Sequence, residues 1–163
     1  MLKKEIQDVL NKQIAMEEYA SRSYLVLALW AEESGYEGTA KFFFKQTEEE
    51  RGHMMKFIKF VLEAGGSPEV TSYGESLLKP KSFKDLFEIA LKHKQAVTKS
   101  IHGMVEKAWN TKDFATFNFL QWFVAEQVEE EDQFRTILDK IKIIDEQGGS
   151  YYMLDRELAM RSE

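Results

Sequence analysis

The sequence contains no cysteine, which excludes disulfides, Cys-ligated zinc and iron–sulfur clusters. Proline is nearly absent too: both prolines lie between residues 68 and 80, and strand-like alternation is rare elsewhere, so we expect an all-helical fold. No apolar run approaches the ~20 residues that cross a bilayer, and no signal-peptide pattern opens the chain. With a formal net charge of -6 and no Lys/Arg block, nucleic acid is not an expected partner. A soluble, cytoplasmic protein is therefore expected.

Apolar residues recur every three or four positions and predict four long helices and a short fifth one in a single domain, residues 1–163. The predicted helices cover about residues 3–34, 39–64, 83–110, 112–146 and 151–161. Short links make the first and second helices, and the third and fourth, antiparallel neighbours. The connection at residues 66–81 is long enough to return the chain along the bundle. The expected fold is all-α: a four-helix bundle with one long crossover connection plus a short fifth C-terminal helix.

Polar residues interrupt the apolar stripes that should face the core. Glu50 and His53 are three positions apart, which places them on one helix face, and Glu17 lies within the stripe of the first helix. A carboxylate on an inward face is costly unless a positive group meets it. We interpret the Glu-x-x-His pair as half of a metal site, with a salt bridge or an exposed position as the alternative for any single glutamate.

An internal repeat supports the metal site. Glu17, Glu50 and His53 each map onto a polar residue 77 positions later, namely Lys94, Gln127 and Glu130. Each half thus offers one polar residue from its first helix and an i, i+3 pair from its second, which is the layout of a di-metal carboxylate site. Lys94 is the odd member. Oxygen ligands with one imidazole suit iron or manganese, although zinc can compete.

The stretches around these positions resemble the bacterial and archaeal non-haem ferritins over essentially the whole chain. The matching segments are residues 17–24, 48–54, 118–131 and 151–158, and the second and third of these are very specific. Gly52 stands where a bacterioferritin has its haem-ligating methionine, so no haem is expected.

The resemblance implies specific roles for residues of a di-iron centre. In the family, the residues that match Glu17, Glu50 and His53 hold the first ferroxidase iron. Those that match Glu50 and Glu130 hold the second iron, and the match of Gln127 lies close by. An accessory third iron site is formed by the matches of Glu49, Glu126 and Glu129. Tyr24 matches a tyrosine implicated in electron transfer, but a core tyrosine with a satisfied hydroxyl is an equal alternative. For Glu131 we prefer a solvated position.

The resemblance also implies a function and an assembly. Fe²⁺ would be oxidised to Fe³⁺ by O₂ or H₂O₂ inside each subunit and stored as ferric mineral in a 24-subunit cage, with the fifth helix lining a four-fold channel. The expected interactions are self-association and these small substrates, without nucleic acid or membrane.

Lys94 departs from the family, which has a glutamate ligand of the second iron at this place. Replacing Glu by Lys changes the charge of the site by two units, and one unit charge at 4 Å is worth roughly 4 kcal/mol at an effective dielectric near 20. Two outcomes stay open: Lys94 turns aside and leaves a weakened di-iron site, or its ammonium occupies the second site. In the second case the protein is a catalytically impaired storage or shell subunit, and Fe²⁺ is oxidised mainly on the mineral surface.

Overall fold

The computed structural model describes residues 2–74 and 76–162, and within these residues it contains five helices and no strand. The helices are α1 (Lys4–Glu33), α2 (Glu37–Glu63), α3 (Phe83–Asn110), α4 (Phe114–Glu146) and α5 (Tyr152–Arg161). The α2–α3 connection is the one long link between helices. The predicted all-α fold, a four-helix bundle with a short C-terminal helix, is confirmed.

Side chains before α3 and α4 fix where these two helices begin. Ser82 accepts a hydrogen bond from the Asp85 backbone N–H at 3.0 Å, as the capping pattern predicts. Asp113 accepts from the Thr116 N–H, also at 3.0 Å. The fourth helix begins two residues later than expected, because Lys112 adopts a left-handed backbone with φ of 54° and cannot belong to the helix.

The buried apolar side chains form two clusters along the bundle. One contains residues such as Tyr24, Phe43, Phe87 and Phe134, and the other contains residues such as Leu10, Phe57, Ile101 and Phe123. Every long helix has a buried polar residue between the segments that supply these clusters, namely Glu17, Glu50, Lys94 and Gln127 in chain order. The fold therefore places a polar layer at mid-height, enclosed above and below by apolar packing.

The fifth helix is joined to the beginning of α2. Asp155 accepts hydrogen bonds from the Gly38 N–H at 3.1 Å, the Thr39 N–H at 2.7 Å and the Thr39 hydroxyl at 2.7 Å. Its negative charge also suits the positive end of the α2 dipole. A Cβ on Gly38 would lie 2.0 Å from the Asp155 carbonyl oxygen, so only glycine permits this approach. Leu154 and Leu158 complete the contact by packing into the apolar core.

A search of the described residues finds no helix with the length and apolar character needed to span a membrane.

Replacing Asp155 with alanine tests the junction between α5 and α2. We expect Asp155→Ala to lower the free energy of unfolding by about 1–2 kcal/mol, because the α2 N-terminus loses its capping carboxylate. The control is Glu157→Ala on the same helix, which removes only surface ion pairs with Lys140 and Arg161 and should change stability by less than about 1 kcal/mol. Calorimetry and amide exchange of residues 152–161 measure both. Equal losses in the two variants would contradict the capping role.

Candidate metal centre

The polar layer at mid-height collects buried side chains from all four long helices. It contains Gln13 and Glu17 from α1, Gln46, Glu50 and His53 from α2, Lys94 from α3, and Gln127 and Glu130 from α4. Each is at most 6% exposed, so every charge in this layer must be balanced inside the bundle.

Glu17, Glu50 and His53 offer three candidate ligand atoms that lie within 4.8 Å of one another. The His53 Nδ1 atom is 3.2 Å from Glu50 Oε2 and 3.9 Å from Glu17 Oε2. Gln13 holds the other Glu17 oxygen by donating a hydrogen bond of 2.8 Å to Oε1. Within the described part of the chain, Glu17 Oε2 has no hydrogen-bond partner. A buried carboxylate oxygen in that state is costly, and a divalent cation bound here would satisfy it.

Lys94 lies on the other side of Glu50. Its ammonium is 2.5 Å from Glu50 Oε1, donates to Gln46 Oε1 at 3.1 Å, and forms an ion pair with Glu130 Oε2. It also lies 4.8 Å from the centre of the Tyr24 ring. Glu50 therefore has one oxygen towards His53 and the other towards Lys94.

The charges of this layer shift one another's protonation. Burial raises the pKa of Glu17 well above its usual 4.5, and the neighbouring Glu50 charge raises it further. Burial also raises the pKa of Glu130, and Lys94 only partly offsets this effect. Burial acts in the same direction on Glu50, but Lys94 and His53 outweigh it and hold the pKa of Glu50 well below 4.5. Burial would lower the pKa of Lys94, yet the surrounding Glu50, Tyr24 and Glu130 raise it, so the amine is protonated at neutral pH.

Gln127 lies in the buried polar layer and connects two helices. Its side-chain N–H₂ donates to the backbone carbonyl of Lys94 at 3.0 Å and to the Thr98 hydroxyl at 3.1 Å. These bonds tie α4 to α3. The structure therefore gives Gln127 a contact between helices at the border of the predicted site.

A second convergent group consists of His53, Glu126 and Glu130, whose candidate ligand atoms also lie within 4.8 Å of one another. Glu126 and Glu130 line an open pocket of about 510 Å³ between α2 and α4, which we call the acidic groove. Its lining carboxylates and amides also include Glu49, Glu129 and Gln46. The predicted accessory residues Glu49, Glu126 and Glu129 thus share one opening, which reaches the oxygens around Lys94.

Tyr24 and Gln46 also lie next to the Lys94 ammonium. The Tyr24 hydroxyl is buried and has no hydrogen-bond partner among the described residues. Burial raises the pKa of Tyr24 well above 10.0.

Gln46 was not predicted as a site residue. Its signal is its position four residues before Glu50, which places it on the same inward face one turn earlier.

The chain is similar to known ferritins in sequence and in fold. The family model described as a Ferritin-like domain matches residues 7–144. The bacterial non-heme ferritin of Campylobacter jejuni is 42% identical over 156 residues, which is 96% of this chain and 93% of that protein. The bacterial non-heme ferritin of Escherichia coli O157:H7 is 34% identical over 98% of this chain and 96% of that protein. Among solved structures, the open pore ferritin of Archaeoglobus fulgidus superposes with a TM-score of 0.93 at 38% identity, covering 98% of both chains.

The raised pKa of Glu17 predicts a pH-dependent gain in stability when this residue is neutralised. A carboxyl group whose pKa is raised by folding favours the folded state below its usual pKa of 4.5, and this contribution is lost as the pH rises through the folded value. Metal-free Glu17→Gln should therefore be more stable than the unsubstituted protein by roughly 1–3 kcal/mol at about pH 8, and no more stable at about pH 4.

Thermal unfolding in a chelator across this pH range measures the effect, with Glu18→Gln on the same helix as the control. Added Mn²⁺ should reverse the order, because only the intact carboxylate gains the binding energy of the ion. A constant difference at all pH values would contradict the raised pKa of Glu17.

Proposed function

The chain belongs to the ferritin-like family, and from that premise we propose that it is an iron-storage subunit that oxidises Fe²⁺ at its buried centre. The oxidised iron would be deposited as ferric mineral inside an assembled shell. The observation that carries this proposal is the convergence of Glu17, Glu50 and His53 on one point, with a buried Glu17 oxygen that lacks a partner. Relatives named bacterial non-heme ferritins, similar over almost the full chain, support it.

The donor set suits iron as the substrate. Two carboxylates and one imidazole are hard-to-borderline ligands, and they favour Fe³⁺ over Fe²⁺ because negative charge stabilises the higher oxidation state. We propose that Glu17, Glu50 and His53 hold the first ion of a di-iron centre and that Glu50 and Glu130 face the second, with Gln127 at its border.

The acidic groove gives Fe²⁺ a path towards the centre. Its carboxylates concentrate cations near the surface, and Glu130 belongs both to the groove and to the buried layer. We propose that Glu49, Glu126 and Glu129 form the accessory iron site there. Tyr24, whose ring is next to the Lys94 ammonium, is the proposed electron donor.

Lys94 attenuates the ferroxidase reaction in this proposal. Its positive charge lies between the two carboxylates that face the second iron in this proposal. Repulsion between two unit charges 4 Å apart is worth roughly 4 kcal/mol at an effective dielectric near 20. The same contacts favour a second candidate function. In that case the subunit is a catalytically impaired storage or shell component, and Fe²⁺ is oxidised by O₂ or peroxide mainly on the growing mineral.

Assembly into a 24-subunit cage is part of the proposal. Large apolar side chains are exposed on the long helices, including Leu25 and Leu29 on α1 and Met55 and Leu62 on α2. Such faces are typical of surfaces covered by other subunits. Self-association would cover them, and we propose a cytoplasmic shell that interacts with neither nucleic acid nor membrane.

Loading the assembled protein with Fe²⁺ in air tests this function. We expect many more iron atoms per chain to co-elute with the shell than the centre itself can bind. Glu50→Ala should slow the first phase of Fe²⁺ oxidation by at least about tenfold, because Glu50 belongs to both halves of the centre. Glu48→Ala, which changes an exposed carboxylate two residues earlier, is the matched control.

The outcomes separate the two functions. Equal first-phase rates in the unsubstituted protein and Glu50→Ala, with normal mineral, would favour the impaired shell subunit. Failure of the unsubstituted protein to retain iron would contradict storage altogether.

A further inference from the structure

We propose that the Lys94 ammonium occupies the second metal position as a built-in cation, so that the centre binds a single divalent ion between Glu17, Glu50 and His53. This inference rests on the proposed function and changes one part of it: the second position is filled by the protein rather than weakened. The structure thus describes a one-metal site in a scaffold whose internal repeat is arranged for two.

The first argument is the set of oxygens around the ammonium. Glu50 Oε1, Gln46 Oε1 and Glu130 Oε2 surround Lys94 Nζ, and a lysine ammonium has three N–H donors to offer them. Glu50 and Glu130 supply the carboxylates that a second metal ion would need. The Tyr24 ring lies against the remaining side, 4.8 Å from the nitrogen. The carboxylates that a second ion would need are therefore already paired with the Lys94 ammonium.

The second argument is the contrast between the two sides of Glu50. Its Oε1 meets Lys94 at 2.5 Å, whereas its Oε2 faces His53 Nδ1 at 3.2 Å in the group that includes Glu17. On the Lys94 side the carboxylates have their cation. On the other side Glu17 Oε2 is buried and has no hydrogen-bond partner among the described residues. Glu130 Oε2 also has no hydrogen bond, but it forms an ion pair with the Lys94 ammonium, so the carboxylate oxygen that is left for an added cation is on the Glu17 side.

The third argument is charge balance within the buried layer. The three carboxylates Glu17, Glu50 and Glu130 are neutralised by one ammonium together with one divalent ion. A second divalent ion would leave two uncompensated positive charges in a layer that is almost fully buried. Moving Lys94 aside would not avoid the cost, because its ammonium would lose two buried carboxylate partners at once.

The ligand is therefore a single first-row divalent ion held by two carboxylate oxygens and one imidazole nitrogen. Three protein ligands on one side leave the remaining positions of the ion to water or an oxidant. Fe²⁺ is the substrate under the proposed function, and Mn²⁺ is the appropriate stable probe because it accepts the same ligands.

Anomalous diffraction from crystals of the assembled, chelator-washed protein soaked in a Mn²⁺ series tests the proposal. In the unsubstituted protein we expect one peak within the bundle, between Glu17, Glu50 and His53, and the lysine nitrogen between Glu50 and Glu130. Peaks in the acidic groove are counted separately. In Lys94→Glu we expect a second peak beside Glu50 and Glu130, appearing at a Mn²⁺ concentration about 100-fold or more below any second peak in the unsubstituted protein.

Two further variants control the comparison. Lys99→Glu makes the same charge change on an exposed position of α3 and should keep a single peak. Lys94→Gln removes the ammonium without burying a fourth carboxylate, so it serves if Lys94→Glu does not fold, and it too should admit a second ion.

Each outcome decides between the proposals. Two peaks in the unsubstituted protein, with Lys94 displaced, would overturn the one-metal inference and leave the proposed di-iron function intact. A single peak that remains single in both Lys94 variants would overturn the role given to Lys94. No peak within the bundle would overturn the metal centre itself, even if the shell still collects mineral.

Discussion

Three carboxylates buried at mid-height in a helical bundle are the constraint on which the rest of this structure depends. Glu17, Glu50 and Glu130 are surrounded by apolar clusters above and below, so water cannot screen their mutual repulsion. Positive charge has to be supplied from within, and Lys94 supplies one unit of it. Glu130 Oε2 forms an ion pair with that lysine, whereas Glu17 Oε2 has no hydrogen-bond partner among the described residues.

Lys94 affects the proposed metal centre but leaves the family fold unchanged. The superposition on the Archaeoglobus ferritin is close over nearly the whole chain, because the apolar stripes and helix caps that build the bundle do not involve the centre. The centre depends on single side chains instead. In our proposal, one substitution of opposite charge converts a metal-ligand position into an internal counter-ion, which the similarity of the folds alone would not show.

The sequence predicts the helices and the inward position of the polar residues well, since both follow from the 3.6-residue period and from the 77-residue repeat. Individual side-chain contacts are less predictable. Whether Lys94 turns aside depends on oxygens from two other helices, α2 and α4, and one of these oxygens belongs to Gln46, which the sequence does not identify as a site residue. The amide of Gln127 could equally face the centre or α3, and only the three-dimensional contact with Thr98 distinguishes them. Likewise, the start of α4 depends on the left-handed backbone of Lys112, a conformation that the sequence does not predict for a lysine.

The contact between Asp155 and the start of α2 has a consequence for the order in which the chain folds. Antiparallel pairs such as α1 with α2 join segments that are close in sequence, and their loops cost little entropy to close. The Asp155 carboxylate instead meets Thr39 across 116 residues, and it accepts from backbone N–H donors that are positioned only once the α2 terminus has formed. Docking of α5 therefore comes late, after both helical pairs exist. The fifth helix thus closes onto a bundle whose polar layer is already enclosed.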